Sequence, residues 1–519
     1  MVAINKSRTA ATQATMAAEA TINEEGAPAF VLTAKNRLIE RVLGAFWSED
    51  LFYKKGEKIA SALVDDLRVV AATEPKFVLQ LAAFARQDMN LRTTPQVLLA
   101  EASRIDGCKP LIRAYAPKIV ARPDEVTDVL AYLLSTSPEG KKLPNQLKWG
   151  LADAIAKFDE YQLFKYDSSK AALSLGGALR LVHRHAGFPV SQAMSNYLEK
   201  DIVDAQALPK IAAIKALMGK DGLDQEAKDL IATSHAPWEV VISKFGSSPA
   251  AWEVAATQMP YMAKLRNLRN FIKAGINLDP ILAELKDPER VRKSRQLPFR
   301  FYAAYCEVED QLVRRAIAAA FEASVSNAQI TGRTAIAVDL SGSMDNKLSA
   351  KSKVAYKDVG CVLGAMALRK SAESLVIGFG DQALPAVLNP DDTMLTNMEK
   401  IKVLPTGWST NAWLIFDAIG EKVFDRIILL SDMQCYDSQS GGYYGGHGQE
   451  TVRERFAQYR AKVNPKAILY SVDLSAYGTA QFSSVDSNVV KLNGWSDRIL
   501  DLIAANEGKE AMVKAIAKW

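Results

Sequence analysis

The sequence lacks the cysteine pairs and long apolar runs that mark secreted or membrane proteins. Its 519 residues include only four cysteines, which lie far apart and form no CxxC pair: Cys108, Cys306, Cys361 and Cys435. This spacing argues against a disulfide framework and a cysteine zinc site. No segment approaches the roughly 20 apolar residues of a membrane span, and the first residues contain no apolar signal core. We therefore predict a cytoplasmic protein without membrane association, with a flexible tail over residues 1–25.

A strong charge of one sign and the common enzyme motifs are also absent. The 64 Lys and Arg residues nearly balance the 59 Asp and Glu residues, which leaves a net charge of +5. This mild surplus neither requires nor excludes a nucleic-acid partner. The sequence contains no P-loop, no HExxH motif and no supported Ser-His-Asp set, and we predict that it is not an enzyme. A metal-dependent nuclease is the least favoured alternative.

From about Asp50 to Glu322 the sequence predicts short consecutive helices. Five segments carry apolar residues at three- and four-residue spacing: Glu74–Gln87, Thr94–Arg104, Lys109–Val120, Arg122–Ser135 and Leu143–Phe158. Each has a proline near its first turn, where the missing N–H does no harm: Pro75, Pro95, Pro110, Pro123 and Pro144. Short joints between helices favour paired helices stacked as a solenoid, with a compact irregular bundle as the alternative.

After the segment Ser326–Gly332 the pattern changes to alternating strands and helices. Apolar strand candidates, TAIAVDL, SLVIGFG, RIILLSD and KAILYSVDL, are separated by helical stretches. Such alternation predicts a doubly wound parallel sheet with helices on both faces. The glycine-rich segment Tyr436–Gln449 is predicted to be a surface loop that could also contact a partner.

Side chains with hard oxygen ligands occur at three places in this half of the sequence, each at the end of a predicted strand or in a loop before a helix. Asp339, Ser341 and Ser343 follow the first strand, Thr410 precedes a helix, and Asp432 ends a later strand. Because the carboxyl ends of parallel strands share one edge, these side chains can converge there. Carboxylate and hydroxyl oxygens suit Mg²⁺ or Ca²⁺ better than zinc. The alternative is that Ser343 or Asp345 caps the next helix and that the rest of the loop is a turn.

The positive charge is concentrated between Lys264 and Arg300, a segment that contains ten basic residues and only four acidic ones. The basic residues predicted to contact RNA here are Arg266, Arg269, Lys273, Arg292, Lys293 and Arg295, of which the first three share a helix face. A row of cations can bind a polyanion by releasing its counterions, whereas a solvated helix face is the alternative. Nearby aromatic residues are candidates for stacking on bases or for the core: Phe299, Phe301, Tyr302 and Tyr305.

The pattern Asp339-x-Ser341-x-Ser343 with Thr410 and Asp432 resembles the metal-ion-dependent adhesion site of von Willebrand factor A domains. The resemblance implies that the two serines and the threonine touch a divalent ion while the aspartates act largely through water. Mg²⁺ is the favoured ion, with Ca²⁺ or Mn²⁺ as alternatives. Such a site keeps an open coordination position that a partner's carboxylate fills.

The whole chain from about Asn36 resembles the Ro 60 kDa autoantigen family, whose shared module is called TROVE. The resemblance rests on FKY…LRLVH and MPYMAKLRNLRNFIKAG in the helical half, followed by the von Willebrand A half. It implies a HEAT-like helical-repeat ring over residues 26–328 and a von Willebrand A domain over residues 329–519.

The same resemblance implies an RNA-binding function in RNA quality control. The family binds Y RNA on its outer face and takes single-stranded 3′ ends of misfolded or precursor RNAs, including rRNA, into a basic central hole. By motif, Lys165 and His183 would contact Y RNA, and Arg86 and Arg92 would line the hole. The expected protein partner is a 3′-to-5′ exoribonuclease such as polynucleotide phosphorylase, and the chain is expected to be a monomer. The alternative is a cytosolic adaptor whose metal site binds an ATPase or chaperone.

Overall fold

The computed structural model describes most of the chain. The described residues are 20–22, 28–30, 33–44, 56–137, 143–167, 172–182, 191–325, 330–349, 352–433, 451–475, 488–493, 499–500, 503 and 510–519. The glycine-rich segment Tyr436–Gln449 and Cys435 lie outside these ranges.

The chain forms two compact units, and each is assembled from separate stretches of sequence. The α/β unit contains Met1–Asp66, Leu297–Cys306 and Phe321–Ala515. The helical unit contains Leu67–Gln296, Glu307–Ala320 and Ile516–Trp519.

Short helices make up the chain between residues 34 and 324, as the apolar spacing predicts. They are α1 (Ala34–Gly44), α2 (Gly56–Thr73), α3 (Pro75–Gln87), α4 (Thr93–Ala102), α5 (Lys109–Ile119), α6 (Pro123–Thr136), α7 (Asn145–Ile155), α8 (Glu160–Tyr166), α9 (Leu175–Val182), α10 (Gln192–Lys200), α11 (Pro209–Met218), α12 (Gln225–Ser234), α13 (Trp238–Phe245), α14 (Pro249–Gln258), α15 (Tyr261–Ala274), α16 (Asp279–Lys286), α17 (Pro288–Ser294), α18 (Pro298–Glu307) and α19 (Gln311–Ser324). The five helices predicted from their spacing are all present, and proline occupies the first turn of α3, α5 and α6. No described helix is long and apolar enough to cross a membrane.

Helices of the helical unit pack against neighbours that are close in sequence. Helix α3 contacts α4 and α5, α4 contacts α6, and α5 contacts α7. The α5–α7 contact is close because Gly150 faces Ala116, where an added Cβ would lie 2.8 Å from the alanine methyl. The end of the chain packs onto this unit, since Trp519 Nε1 donates to Asp88 at 2.8 Å and its carbonyl accepts from Lys118 at 3.0 Å.

The α/β unit is built around a six-stranded sheet. The strands among the described residues are β1 (Ala20–Ile22), β2 (Pro28–Phe30), β3 (Ile330–Asp339), β4 (Ser371–Phe379), β5 (Ala383–Pro385), β6 (Arg426–Ser431), β7 (Ile468–Asp473) and β8 (Val489–Asn493). The large sheet has the order β5-β4-β3-β6-β7-β8, in which β5 alone is antiparallel to its neighbour. The predicted parallel sheet is therefore confirmed, with one antiparallel edge strand added.

One prediction about the start of the chain is corrected. Residues 20–22, which fall in the predicted flexible tail, form β1 and pair with β2 in a two-stranded antiparallel sheet. The pairing satisfies backbone hydrogen bonds over three residues, which charge and apolar content alone do not predict.

Alternate strand residues pack against helices on the two faces of the large sheet. The helices of this unit that follow β3 are α20 (Tyr356–Lys370), α21 (Met394–Lys402), α22 (Ile415–Ile419), α23 (Val452–Lys462) and α24 (Glu510–Ala517), the last of which continues into the helical unit. Ala335 and Ala337 of β3 belong to an apolar cluster that includes residues of α22 and α23. Val338 points to the other face, where Gly360 and Gly364 let α20 approach closely.

The strand order places the switch point of the sheet between β3 and β6. From β3 the chain moves to β4 on one side, and from β6 it continues to β7 and β8 on the other. The two neighbours β3 and β6 therefore lie where the winding direction changes. In doubly wound sheets, ligands bind at this switch point.

Candidate functional site

Asp339 ends β3 at the switch point and is fully buried. Its Oδ1 accepts a hydrogen bond from the Ser341 N–H at 2.9 Å, and its Oδ2 accepts one from the Ser431 hydroxyl at 2.6 Å. Ser431 is the last residue of β6, so these bonds fix the carboxylate between the two central strands. Sequence reasoning missed Ser431, although it directly precedes Asp432.

The loop after β3 brings two hydroxyls together. Ser341 has extended backbone and is buried, and a 3₁₀ turn over Gly342–Asp345 follows it. The hydroxyls of Ser341 and Ser343 lie 3.2 Å apart. Alternating positions in this loop therefore point to the same side, as the Ser-x-Ser spacing predicts.

Asp432 follows β6 and is buried close to Asp339. Burial raises the pKa of Asp339 to about 7, and the negative charge of Asp432 adds to this increase. Two buried carboxylates that repel one another form a site that a cation would stabilise.

Thr410 is also buried, in the loop that precedes α22. This loop is attached to the Ser341–Ser343 loop because the Gly342 N–H donates to the Trp408 carbonyl at 2.9 Å. It is attached to the β4–β5 turn by Asp381, whose carboxylate accepts from the N–H groups of Trp408 and Ser409, both at 3.0 Å. Bonds to the Ser409 hydroxyl and to both N–H groups lower the pKa of Asp381. Sequence reasoning missed Asp381, although an acidic residue directly after a strand was the available signal.

The donor set at this edge fits a hard divalent cation. It combines two buried carboxylates with the three hydroxyls of Ser341, Ser343 and Thr410. Among the described residues no group of three or more His, Cys, Asp or Glu side chains is placed to hold a metal ion. A cation here would therefore depend on hydroxyl oxygens, which suit Mg²⁺ or Ca²⁺.

We call the ten cations between Lys264 and Arg300 the basic track. Most of them lie on three helices of the helical unit that contact one another, α15, α16 and α17, whereas Arg295 directly follows α17 and Arg300 lies on α18. Four of the ten cations are neutralised by carboxylates within the described residues: Lys264 and Arg290 by Glu284, Arg269 by Glu307, and Lys293 by Glu289. Arg300 lies over the Phe299 ring at 5.1 Å. Arg269 and Lys293 are thus exposed but paired, which sequence position could not reveal.

The other five cations form an exposed set without a carboxylate partner among the described residues. We call these residues the open cations: Arg266, Lys273, Lys286, Arg292 and Arg295. Arg266 and Lys273 are seven residues apart on α15 and share one face of that helix. Lys286, at the end of α16, was not among the predicted contacts.

The aromatic residues that follow the track belong to the core. Phe299, Phe301 and Tyr302 are buried, and the Tyr302 hydroxyl donates to Asp358 at 3.2 Å. Of the two alternatives for these three rings, the structure thus favours the core, because a buried ring presents no free face to a base. Tyr305 is half-buried.

Arg86 does not have the exposure that its predicted contact with RNA requires. It is buried and forms an ion pair with buried Glu125, with Nη2 2.9 Å from Oε1. Its Nη1 also donates to Asn90 at 3.0 Å. This corrects the prediction, since a helical segment cannot reveal that a distant residue neutralises one of its cations. Arg92, at the start of α4, is exposed.

Of the two residues predicted from the Y RNA motif, the structure describes Lys165 but not His183. Lys165 is half-exposed on α8, with its Nζ 5.8 Å from the centroid of the Tyr161 ring. His183 lies outside the described residues.

Comparisons with known proteins agree with this architecture. A family model for the TROVE domain matches residues 12–212 and 228–369, and one for the Ro60 vWA domain matches residues 333–505. The chain resembles telomerase protein component 1 of Mus musculus, with 26% identity over 308 residues, which are 48% of this chain and 12% of that protein. The Rattus norvegicus protein of the same name is 26% identical over 294 residues, 46% of this chain and 11% of that protein. The chain thus corresponds to a small part of these curated relatives.

A solved structure shares the fold over most of the chain. The crystal structure of the Deinococcus radiodurans RO (RSR) protein matches with a TM-score of 0.64 and 18% identity, and the match covers 85% of this chain and 92% of that chain. At a sequence identity of 18%, the similarity shows that the two proteins share a fold and nothing more. Because the TROVE model matches more than half of the sequence and the Ro60 vWA model matches the α/β half, the chain belongs to the Ro60 family.

Proposed function

We propose that this protein binds non-coding RNA of the Y RNA type together with single-stranded 3′ ends of misfolded or immature RNAs, including rRNA. In this role it would deliver defective or precursor RNA to a 3′-to-5′ exoribonuclease such as polynucleotide phosphorylase. The observation that carries the proposal is the set of five open cations on or directly after α15, α16 and α17.

The open cations suit a phosphate backbone because no carboxylate among the described residues neutralises their charge. A phosphate group that approaches them displaces only water and bulk ions, whereas a paired cation must first give up its carboxylate. Contacts of this kind give affinity without sequence specificity, as the recognition of diverse defective RNAs requires.

Charge reversal of Arg266 and Lys273 tests this assignment. We expect Arg266→Glu plus Lys273→Glu to weaken binding of an RNA with a free single-stranded tail. If both residues contact phosphates, the slope of log K against log salt falls by about 1.4, since each contact to a single strand contributes roughly 0.7. Filter binding over a range of salt concentrations measures both effects.

A matched control changes the same number of charges at cations that carboxylates already neutralise. Lys215→Glu plus Lys220→Glu is suitable, because these residues pair with Asp201 and Glu226. We expect this control to keep the wild-type salt slope. Equal losses in the two double variants would show that net charge, and not the open cations, determines binding.

We further propose that Asp339, Ser341, Ser343, Thr410 and Asp432 hold a divalent cation, with Mg²⁺ favoured over Ca²⁺ and Mn²⁺. The bound ion would supply an open coordination position for a carboxylate of a partner. The hydroxyls would contact the ion, and the buried carboxylates would balance its charge. Electron paramagnetic resonance of Mn²⁺ titrated into the full chain tests this site, and Asp432→Ala should abolish the binding.

The exposed Trp408 side chain, which lies close in sequence to the proposed metal ligand Thr410, favours a protein adaptor as the second candidate function. Trp408 is 78% exposed, two residues before Thr410, and its ring packs against Gly342. A metal-dependent adaptor would bind an ATPase or chaperone through this surface. Retention of such a partner with Mg²⁺ and its release by EDTA, both unaffected by the double reversal of Arg266 and Lys273, would support this function.

A further inference from the structure

A side chain outside the proposed ligand set, Asp381, binds the loop that carries Thr410. Asp381 lies in the turn between β4 and β5, next to the end of β4. Its Oδ2 accepts from the Trp408 N–H and its Oδ1 from the Ser409 N–H, both at 3.0 Å. Both carboxylate oxygens of Asp381 are thus bonded to the backbone of the loop that carries Thr410.

Further backbone bonds join the same two segments. The Gln382 N–H donates to the Thr406 carbonyl at 3.0 Å, and the Asn411 N–H donates to the Gly380 carbonyl at 3.1 Å. The Asp381 carboxylate lies between these two bonds and holds the middle of the loop. The segment from Thr406 to Asn411 is thus fixed along its length against the β4–β5 turn.

Gly407 shows how tightly the carboxylate fills this turn. Its φ is +87°, a conformation that residues with a side chain rarely adopt, and a Cβ at this position would collide with Asp381 Oδ2. Glycine is therefore required both for the backbone conformation and for the approach of the carboxylate.

The same loop contacts the Ser341–Ser343 segment on its other side. The Trp408 carbonyl accepts from the Gly342 N–H at 2.9 Å, and a Cβ on Gly342 would lie 3.0 Å from the Trp408 ring. The backbone that leads to Thr410 is thus bonded to Asp381 on one side and to the Ser341–Ser343 segment on the other.

We propose that Asp381 is a positioning residue of the metal centre, which holds the Thr410 loop in a metal-binding geometry before the ion arrives. This inference rests on the proposed metal site. Removing the carboxylate frees two backbone donors and lets the loop move, so the ion must order it on binding.

The test is a Mn²⁺ titration of the full chain, followed by electron paramagnetic resonance. We expect Asp381→Ala to weaken Mn²⁺ binding by about 10- to 100-fold, as is usual for residues that orient metal ligands. Asp381→Asn keeps one acceptor oxygen but turns an amide N–H toward the second donor, so its loss should be intermediate. This milder variant keeps the test decisive if Asp381→Ala does not fold.

The matched control is Glu373→Ala, which removes an exposed carboxylate from β4 that pairs with Arg333. We expect it to bind Mn²⁺ as the wild type does. Thermal melts with and without Mn²⁺ add a second readout, because bound metal stabilises the folded state. Asp381→Asn should show a smaller metal-induced rise in Tm than Glu373→Ala.

The possible results separate this inference from the proposed metal site. If Asp432→Ala abolishes Mn²⁺ binding and Asp381→Asn binds as tightly as wild type, the metal site stands and the positioning role is overturned. A lower metal-free Tm for the Asp381 variants with unchanged Mn²⁺ affinity would also overturn it, because the role would then be purely structural. If the wild-type chain binds no Mn²⁺, the metal site and the inference both fail.

Discussion

The buried ion pair between Arg86 and Glu125 offers the sharpest test of how the helical unit is held together. Arg86 Nε donates to both Glu125 oxygens, at 3.0 and 3.2 Å, and Nη2 lies 2.9 Å from Oε1. Glu125 Oε2 also accepts from the N–H groups of Ala121 and Arg122, at 2.7 and 3.2 Å. One carboxylate therefore joins α3 to α6 and caps the start of α6.

Glu125→Gln removes the negative charge and leaves the guanidinium buried. The side chains of Arg86 and Glu125 are only 7% and 3% exposed, so water cannot replace the lost partner. Breaking a buried pair in this way costs about 3–5 kcal/mol of unfolding free energy. Since about 1.4 kcal/mol is a factor of ten in an equilibrium constant, protected amides of α3 and α6 should exchange at least roughly 100-fold faster.

Hydrogen exchange followed by mass spectrometry measures this effect peptide by peptide. A change below about tenfold in α3 and α6 would refute the reasoning, because it would mean that the buried charge is accommodated without the carboxylate. Chemical denaturation of the same variant gives an independent value of the lost stability.

Replacing both partners separates stability from RNA binding. The double variant Arg86→Met plus Glu125→Gln leaves no unpaired charge and should recover most of the lost stability. We expect this folded variant to bind single-stranded RNA tails as the wild type does. A loss of RNA binding in it would restore Arg86 as a nucleic-acid contact.

Two further predictions concern packing and thiol chemistry in the described part of the chain. Gly364→Ala should destabilise the protein by about 1–3 kcal/mol, because the new methyl would lie 2.8 Å from Val338 Cγ2, whereas Gly222→Ala, with no atom within 4 Å, should be near neutral in thermal melts. Burial raises the pKa of Cys108 to about 11 and also raises that of Cys361, so both stay protonated at pH 8. Alkylation mapped by mass spectrometry should therefore label both cysteines only on unfolding, and rapid labelling of the native protein at pH 8 would contradict this.

The sequence by itself determined the helices α3 to α7 and the parallel class of the large sheet. Helical spacing with proline in the first turn located α3 to α7, because these signals depend on residues within one or two turns. The alternation of apolar strands and helices predicted a parallel sheet. It also predicted that Asp339 and Asp432 would meet, since the carboxyl ends of parallel strands share an edge. The family followed from motifs that lie within such local segments.

Only the tertiary structure decided which charges are available and which loops are held together. Glu125 neutralises Arg86 from 39 residues away, and Glu307 neutralises Arg269 from 38 residues away. Asp381 binds the backbone of Trp408 and Ser409 from 27 and 28 residues away along the chain. Ion pairs and loop contacts depend on which elements become neighbours in space, and the spacing of residues along one element carries no information about them.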